Sequence, residues 1–158
     1  MEANEYNACV QEWADVLFRF ACKCTGQASD AHDVVQNCFE VLWQKRKEVN
    51  TGKAKAFLFQ VAYNKSVDGF RKRSKVSFAE PPEQSYTPGN PDLKKILDRA
   101  LAQLDEQARG LVLLKDYEGY SYEEIGQITG LSEAQVKVYL HRARKILKEY
   151  LVSVENII

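Results

Sequence analysis

The sequence predicts an all-α fold: two small helical domains joined by a Pro-rich linker, the second ending in a helix-turn-helix. Three observations carry this. Apolar residues recur at helical spacing through nearly the whole chain, and the first half shows no period-2 strands. All four prolines fall in "VSFAEPPEQSYTPGNP", residues 76–91, where Pro81-Pro82 and Pro88-Gly89 forbid helix and sheet alike. Near the C-terminus, two capping boxes eleven residues apart leave room for one short helix and a tight turn before a longer helix. The predicted division is therefore a first domain over 1–75, a linker over 76–91 and a second domain over 92–158.

In the first helix Val10, Trp13, Ala14, Leu17 and Ala21 fall on one face, and Gly26 ends it. Ser29 or Asp30 is the predicted cap of the second, whose stripe is Ala31, Val34, Val35, Cys38 and Leu42. Asp30 and Asp33 at its start and Lys45, Arg46 and Lys47 at its end match the helix dipole. Asn50-Thr51-Gly52 breaks the chain. A third helix then turns Phe57, Leu58, Val61 and Ala62 inward and finishes on the basic run "FRKRSK".

After the linker, Asn90 is the predicted cap of a helix with Pro91 in its first turn, where a missing N–H costs little. Leu93, Leu97, Ala100 and Leu104 form its stripe. Asp105 caps the next helix, "EQARGLVLLKDY", which ends near Gly119. Ser121-Tyr122-Glu123-Glu124 and Ser132-Glu133-Ala134-Gln135 are the two capping boxes. Gly130 makes the turn between them, and Gly126 lets the flanking helices approach closely.

The last helix sorts its charges. Val136, Leu140, Ala143 and Leu147 make a stripe to be buried, and Lys137, His141, Arg144 and Lys148 run beside it. No acidic residue occurs from Val136 to Lys148, whereas Asp116, Glu118, Glu123 and Glu124 precede them. A basic helix supported by an acidic one fits the major groove of DNA, with the support turned away from phosphates.

Composition sets limits on other classes. Hydrophobic residues make up 45% and charged residues 28%, as in a soluble folded protein. The 22 basic and 22 acidic side chains cancel, so any polyanion-binding surface must be local. No signal-peptide pattern and no bilayer-length apolar run occurs, and the expected location is the cytoplasm with reduced thiols. Cys9, Cys22, Cys24 and Cys38 contain no C-x-x-C pair and read as small buried hydrophobes, with no metal site. No catalytic constellation and no G-x-x-x-x-G-K loop is present, so neither an enzyme nor a cofactor is expected.

Three stretches together resemble one family. "DAHDVVQNCFEVLW" is similar to the core-binding helix of the extracytoplasmic-function (ECF) sigma factors, small promoter-recognition subunits of bacterial RNA polymerase. "AFLFQVAYNKSVDGFRKR" resembles their promoter-melting helix, and "LLKDYEGYSYEEIGQITGLSEAQVKVYLHRARKIL" resembles the domain that reads the upstream promoter element. Three matches in order, separated by a linker, are far more specific than a lone helix-turn-helix.

The resemblance implies the partners: the polymerase core enzyme, promoter DNA and, as a further candidate, an anti-sigma factor. It places Asp30, Asp33, Gln36 and Phe39 against the core polymerase; exposed acids near a helix start suit a basic partner surface. Asn64, Lys65, Asp68, Arg71 and Lys72 would meet the downstream element, cations on phosphates and asparagine on base edges. Asp68 has a second reading, pairing with Arg71 or Lys72 to orient it. The loop "VNTGK" would help hold a base turned out of the stack, as similar loops do in the family. Gln135, Lys137, Val138, His141, Arg142 and Lys145 would read the upstream element.

The chain departs from the family pattern at the reading helix, where Val138 and Tyr139 replace a hydroxyl and a cation, so an unusual upstream sequence is expected. Asp105 stands where proline is usual, and Gly110 where a larger side chain is common.

Two rivals share the final motif. An operator-binding regulator would use the first half as a sensor or dimerisation module and would need a palindromic site, but a sensor has no need of a second basic helix. A serine recombinase would need an α/β catalytic domain, which the first half does not spell.

Overall fold

The computed structural model describes residues 1–73 and 91–155, with side chains over 1–67 and 93–154. The proposed linker therefore lies outside the described residues up to its last member, Pro91, and so does the predicted cap Asn90. Among the described residues there are seven α-helices and no strand.

Helix α1 spans Ala3–Thr25 and stops at Gly26, whose φ of 76° is left-handed and whose N–H bonds the Cys22 carbonyl at 2.8 Å. Only glycine enters that region without strain. Helix α2, Ala28–Gln44, starts earlier than its cap chemistry marks. Its N-cap is Gln27, which makes no side-chain bond, and Ser29 and Asp30 fall inside the first turn. The reason is local: the Thr25 hydroxyl donates to the Ala21 carbonyl at 2.7 Å and accepts from Gln27 N–H at 3.4 Å, so the chain reverses within two residues.

Asn50 accepts from Lys53 N–H at 3.0 Å and caps a 3-10 turn, Thr51–Lys53, that feeds α3, Ala54–Arg73. Helices α1, α2 and α3 pack on one another around Leu17, Phe20, Ala31, Cys38, Leu42, Leu58 and Ala62.

Helix α4, Pro91–Ala102, begins on its proline. Asp105 accepts from Ala108 N–H at 2.7 Å and caps α5, Glu106–Val112, as the sequence requires. The same helical run continues through Leu113–Tyr117 in π geometry before Gly119 breaks it. Helix α6, Tyr122–Thr129, carries the complete capping box between Ser121 and Glu124 and ends at Gly130, φ 80°. Helix α7, Glu133–Glu155, packs against α4, α5 and α6 through Val136, Leu140, Ala143 and the half-buried Leu147.

The two halves also touch. Helix α3 packs against α5 and α6, and one hydrophobic cluster runs without a break from Cys9 to Ala143. A proline-rich join in the sequence marks a boundary between modules but is silent on whether they dock.

Candidate nucleic-acid interface

The helix-turn-helix is fixed by close backbone approach. A Cβ on Gly126 would stand 2.9 Å from the Leu131 carbonyl oxygen, so only glycine lets α6 pass this close to the turn. Ser132 then forms the second capping box: its hydroxyl accepts from Gln135 N–H at 3.1 Å, and Gln135 Oε1 accepts from Ser132 N–H at 2.9 Å. Gln135, expected to face DNA, thus has its amide oxygen committed to the cap.

On α7, Lys137, Val138, His141, Arg142 and Lys145 are all exposed. Lys137 is steered: its ammonium lies 3.4 Å from Glu133 and 5.3 Å from the Tyr122 ring centroid, with Lys115 4.4 Å from the same ring. Arg144, placed by the sequence on the basic stripe, instead braces the domain. Its guanidinium meets Asp116 at 2.8 Å, and that bond holds its pKa above the ordinary arginine value. Asp116 stands in the acidic support ahead of α6, so one ion pair ties support to reader. Tyr139 is half-buried against the core. Neither Tyr122 nor the Arg144 brace was legible beforehand, because each contact joins residues some 15 to 28 positions apart.

The first half presents a different pair of faces. On α3, Asn64 and Lys65 are exposed, while the side chains of Asp68, Arg71 and Lys72 lie outside the described residues. In the "VNTGK" loop Thr51 donates to Glu5 at 2.6 Å, an interaction that lowers the Glu5 pKa and ties the loop to α1. On α2, Asp33 and Gln36 are exposed, Gln36 lying 3.4 Å from Glu40, and Asp30 is half-buried.

Phe39, which the resemblance places against the core polymerase, is 8% exposed, edge-on to Tyr6, and its carbonyl accepts the Tyr6 hydroxyl at 2.9 Å. It serves the core, because α1 folds over that edge of α2. The exposed aromatic one turn further on is Trp43, 40% accessible and stacked by Arg46 at 3.9 Å. Cys9, Cys24 and Cys38 are buried and Cys22 half-buried, all free thiols. Burial pushes the Cys24 and Cys38 pKa values up to about 12.

Comparison with known proteins fits this layout. Residues 9–76 match sigma-70 region 2, and residues 94–147 match sigma-70 region 4. The chain is 36% identical to the ECF RNA polymerase sigma factor SigL of Mycobacterium tuberculosis, over 93% of this chain and 89% of SigL.

The chain belongs to the ECF sigma factor family.

This sigma factor is also 30% identical to SigE of Mycolicibacterium smegmatis, where it covers 91% of its own length and spans 60% of that relative. Its fold superposes on the sigma factor RpoE of Bartonella quintana, solved in complex with the anti-sigma factor NepR, with a TM-score of 0.81 at 25% identity over 94% of this chain and 98% of that one. The structure of CnrH with the cytosolic domain of CnrY gives a TM-score of 0.71 at 24% identity, over 94% of this chain and 88% of that one. As a sigma factor the protein is a transcription initiation factor. No described helix is long and apolar enough to cross a membrane.

Proposed function

We propose that this sigma factor engages core polymerase through the exposed start of α2, with Asp33 and Gln36 in contact and Asp30 at the edge. Within the holoenzyme it reads a downstream promoter element with α3 and an upstream one with the N-terminal turns of α7. The domain roles follow the predicted division: 1–75 for polymerase and the downstream element, 92–158 for the upstream element.

The observation that carries the reading is the acid-free, exposed surface of Lys137, Val138, His141, Arg142 and Lys145, backed by a fully capped α6. Such a helix takes phosphates with its cations and base edges through the side chains that project furthest. Val138, 45% exposed, would offer an apolar contact where its relatives often carry a hydroxyl; a thymine methyl is its natural complement. Promoter melting draws on binding energy alone, without nucleotide hydrolysis. Because RpoE and CnrH were solved with an anti-sigma factor and with CnrY, an anti-sigma partner is part of the proposal.

The test is co-purification with core polymerase, followed by transcription from a promoter library. Selective initiation from one class of two-element promoters is the expected result. Tight, sequence-specific DNA binding by a free dimer would instead favour an operator-binding regulator.

A further inference from the structure

The start of α7 faces outward with side chains whose chemistry is narrower than that of a general basic helix. At about 100° per residue, Ala134 and Val138 stand one turn apart on the ridge opposite the buried Val136, Leu140 and Ala143. Both are exposed, and neither carries a polar side-chain atom. Gln135 flanks that ridge on one side and Lys137 on the other.

The two flanks are not equivalent. Lys137 is drawn back toward the supporting helix: its ammonium lies 3.4 Å from Glu133 and 5.3 Å from the centroid of the Tyr122 ring on α6. A cation held there suits a phosphate at the groove wall better than a base edge on its floor. Gln135 is held by a different bond. Its Oε1 accepts from Ser132 N–H at 2.9 Å, while the Ser132 hydroxyl accepts from Gln135 N–H at 3.1 Å. A backbone N–H can be met only by the amide oxygen, so this bond also fixes which way the amide is turned. The group left to reach outward is the NH2, two donors and no acceptor.

A glutamine reads adenine by presenting oxygen and nitrogen together, to N6 and N7. With its oxygen turned to Ser132, Gln135 presents the nitrogen alone. That NH2 suits a base offering acceptors in the major groove: O6 and N7 of guanine, or O4 of thymine. Ala134 and Val138 offer no hydrogen bond, and the major-groove feature that rewards an apolar contact is the thymine methyl. We infer that Gln135 is a specificity-determining residue that selects a keto base, guanine or thymine, and rejects adenine, and that Ala134 and Val138 select thymine methyls at the neighbouring pairs. The inference rests on the proposed role of α7 as the upstream reader and names the class of sequence that this reader takes. His141 and Arg142, further along α7, extend the contact and take no part in this selection.

The test uses the full chain assembled with core polymerase. Promoter duplexes randomised across the upstream element are selected for binding and sequenced, with the parent and with Gln135→Glu. Glutamate keeps an oxygen for Ser132 N–H but puts a second acceptor where the donor NH2 stood. One position should therefore change class: guanine or thymine in the parent, with adenine disfavoured about tenfold, and cytosine or adenine in the variant. The other positions should keep their profiles. Deoxyuridine then replaces thymine in the selected duplex, which removes the methyl and nothing else. At each pair facing Ala134 or Val138 the parent should lose about fourfold in affinity, and Val138→Ser should bring one of those losses below about twofold. The deoxyuridine comparison with the parent needs no protein variant, so it carries the test if either substitution unsettles the helix. Adenine at the position that Gln135→Glu alters, an unaltered profile in that variant, or equal affinity for uracil and thymine duplexes overturns the assignment alone. A library in which no upstream sequence is enriched overturns the proposed function as well.

Discussion

Arg109 offers the sharpest test of how the second half is held together. Its side chain is 5% exposed and donates three charge-assisted bonds: Nε to Leu101 O at 3.0 Å, one terminal nitrogen to Cys24 O at 2.8 Å, and the other to Leu104 O at 3.0 Å. Leu101 lies in the last turn of α4, Leu104 in the turn just past it, and Cys24 at the end of α1. Burial lowers the arginine pKa, and nearby Cys24, Glu106 and Asp105 oppose that, yet guanidinium remains charged at any working pH. Arg109→Ala takes the donor from the buried Cys24 and Leu104 carbonyls, at about 1–1.5 kcal/mol each after partial rescue by water, while Leu101 O keeps the Leu104 N–H at 3.1 Å. The expected loss is about 2–3 kcal/mol in urea denaturation, or a fall in Tm of roughly 4–12 °C for a chain of this size. Arg109→Lys keeps the charge but cannot span three acceptors, so it should recover less than half of the loss. A loss under about 1 kcal/mol for Arg109→Ala would refute the reasoning, because it would mean that the Cys24 and Leu104 carbonyls find equivalent donors elsewhere.

The other predictions concern surfaces and one turn. Lys137→Ala and Arg142→Ala should each weaken upstream-element binding by about 1–3 kcal/mol without loss of fold, since both lie off the buried stripe of α7; normal promoter affinity in a folded double variant would remove this helix from the DNA interface. Asp33→Arg with Gln36→Arg should abolish pull-down by core polymerase while leaving the thermal unfolding profile within about 1 kcal/mol of the parent, because both side chains are exposed. Gly126→Ala places a methyl 2.9 Å from a backbone oxygen, and even after its gain in helix propensity it should destabilise the second half by about 1–2 kcal/mol, read by circular dichroism on heating.

Much of this was legible in the sequence, because helix ends and apolar stripes are local properties. Asp105, Ser121, Ser132 and Gly130 act as their types and spacing require. Other surroundings are set by contacts distant in sequence, which local patterns do not carry. Phe39 lies at the margin of the α2 stripe, and Tyr6, 33 residues away, covers it. Arg109 reads as one more solvated cation until three backbone carbonyls from two helix ends converge on it. Gln135 carries both a capping pattern and a plausible DNA contact, and the backbone N–H of Ser132 takes precedence because an unpaired donor at a helix start costs more than an idle surface amide. The docking of the two halves left no local trace except Gly110, whose meaning needs the Tyr63 ring beside it.

The charge sorting of the last two helices has a consequence beyond steering DNA. The whole chain carries 22 charges of each sign, so nothing draws it to nucleic acid at long range. The α7 face proposed to meet DNA carries the exposed Lys137, His141, Arg142 and Lys145, while Arg144 is held by Asp116. A handful of phosphate contacts cannot hold a protein on DNA tightly at physiological salt. The second proposed set of cations, on α3, belongs to the other half of the chain, and on the proposed reading the two sets reinforce each other only when one duplex reaches both, which raises the effective concentration of the second contact. On the proposed function, a partner that binds the α2 face and positions both halves on one duplex would convert two weak contacts into a strong, selective one. On that reading the neutral balance of the sequence should leave the unpartnered chain a weak promoter binder, which a titration on promoter duplex with and without core polymerase checks.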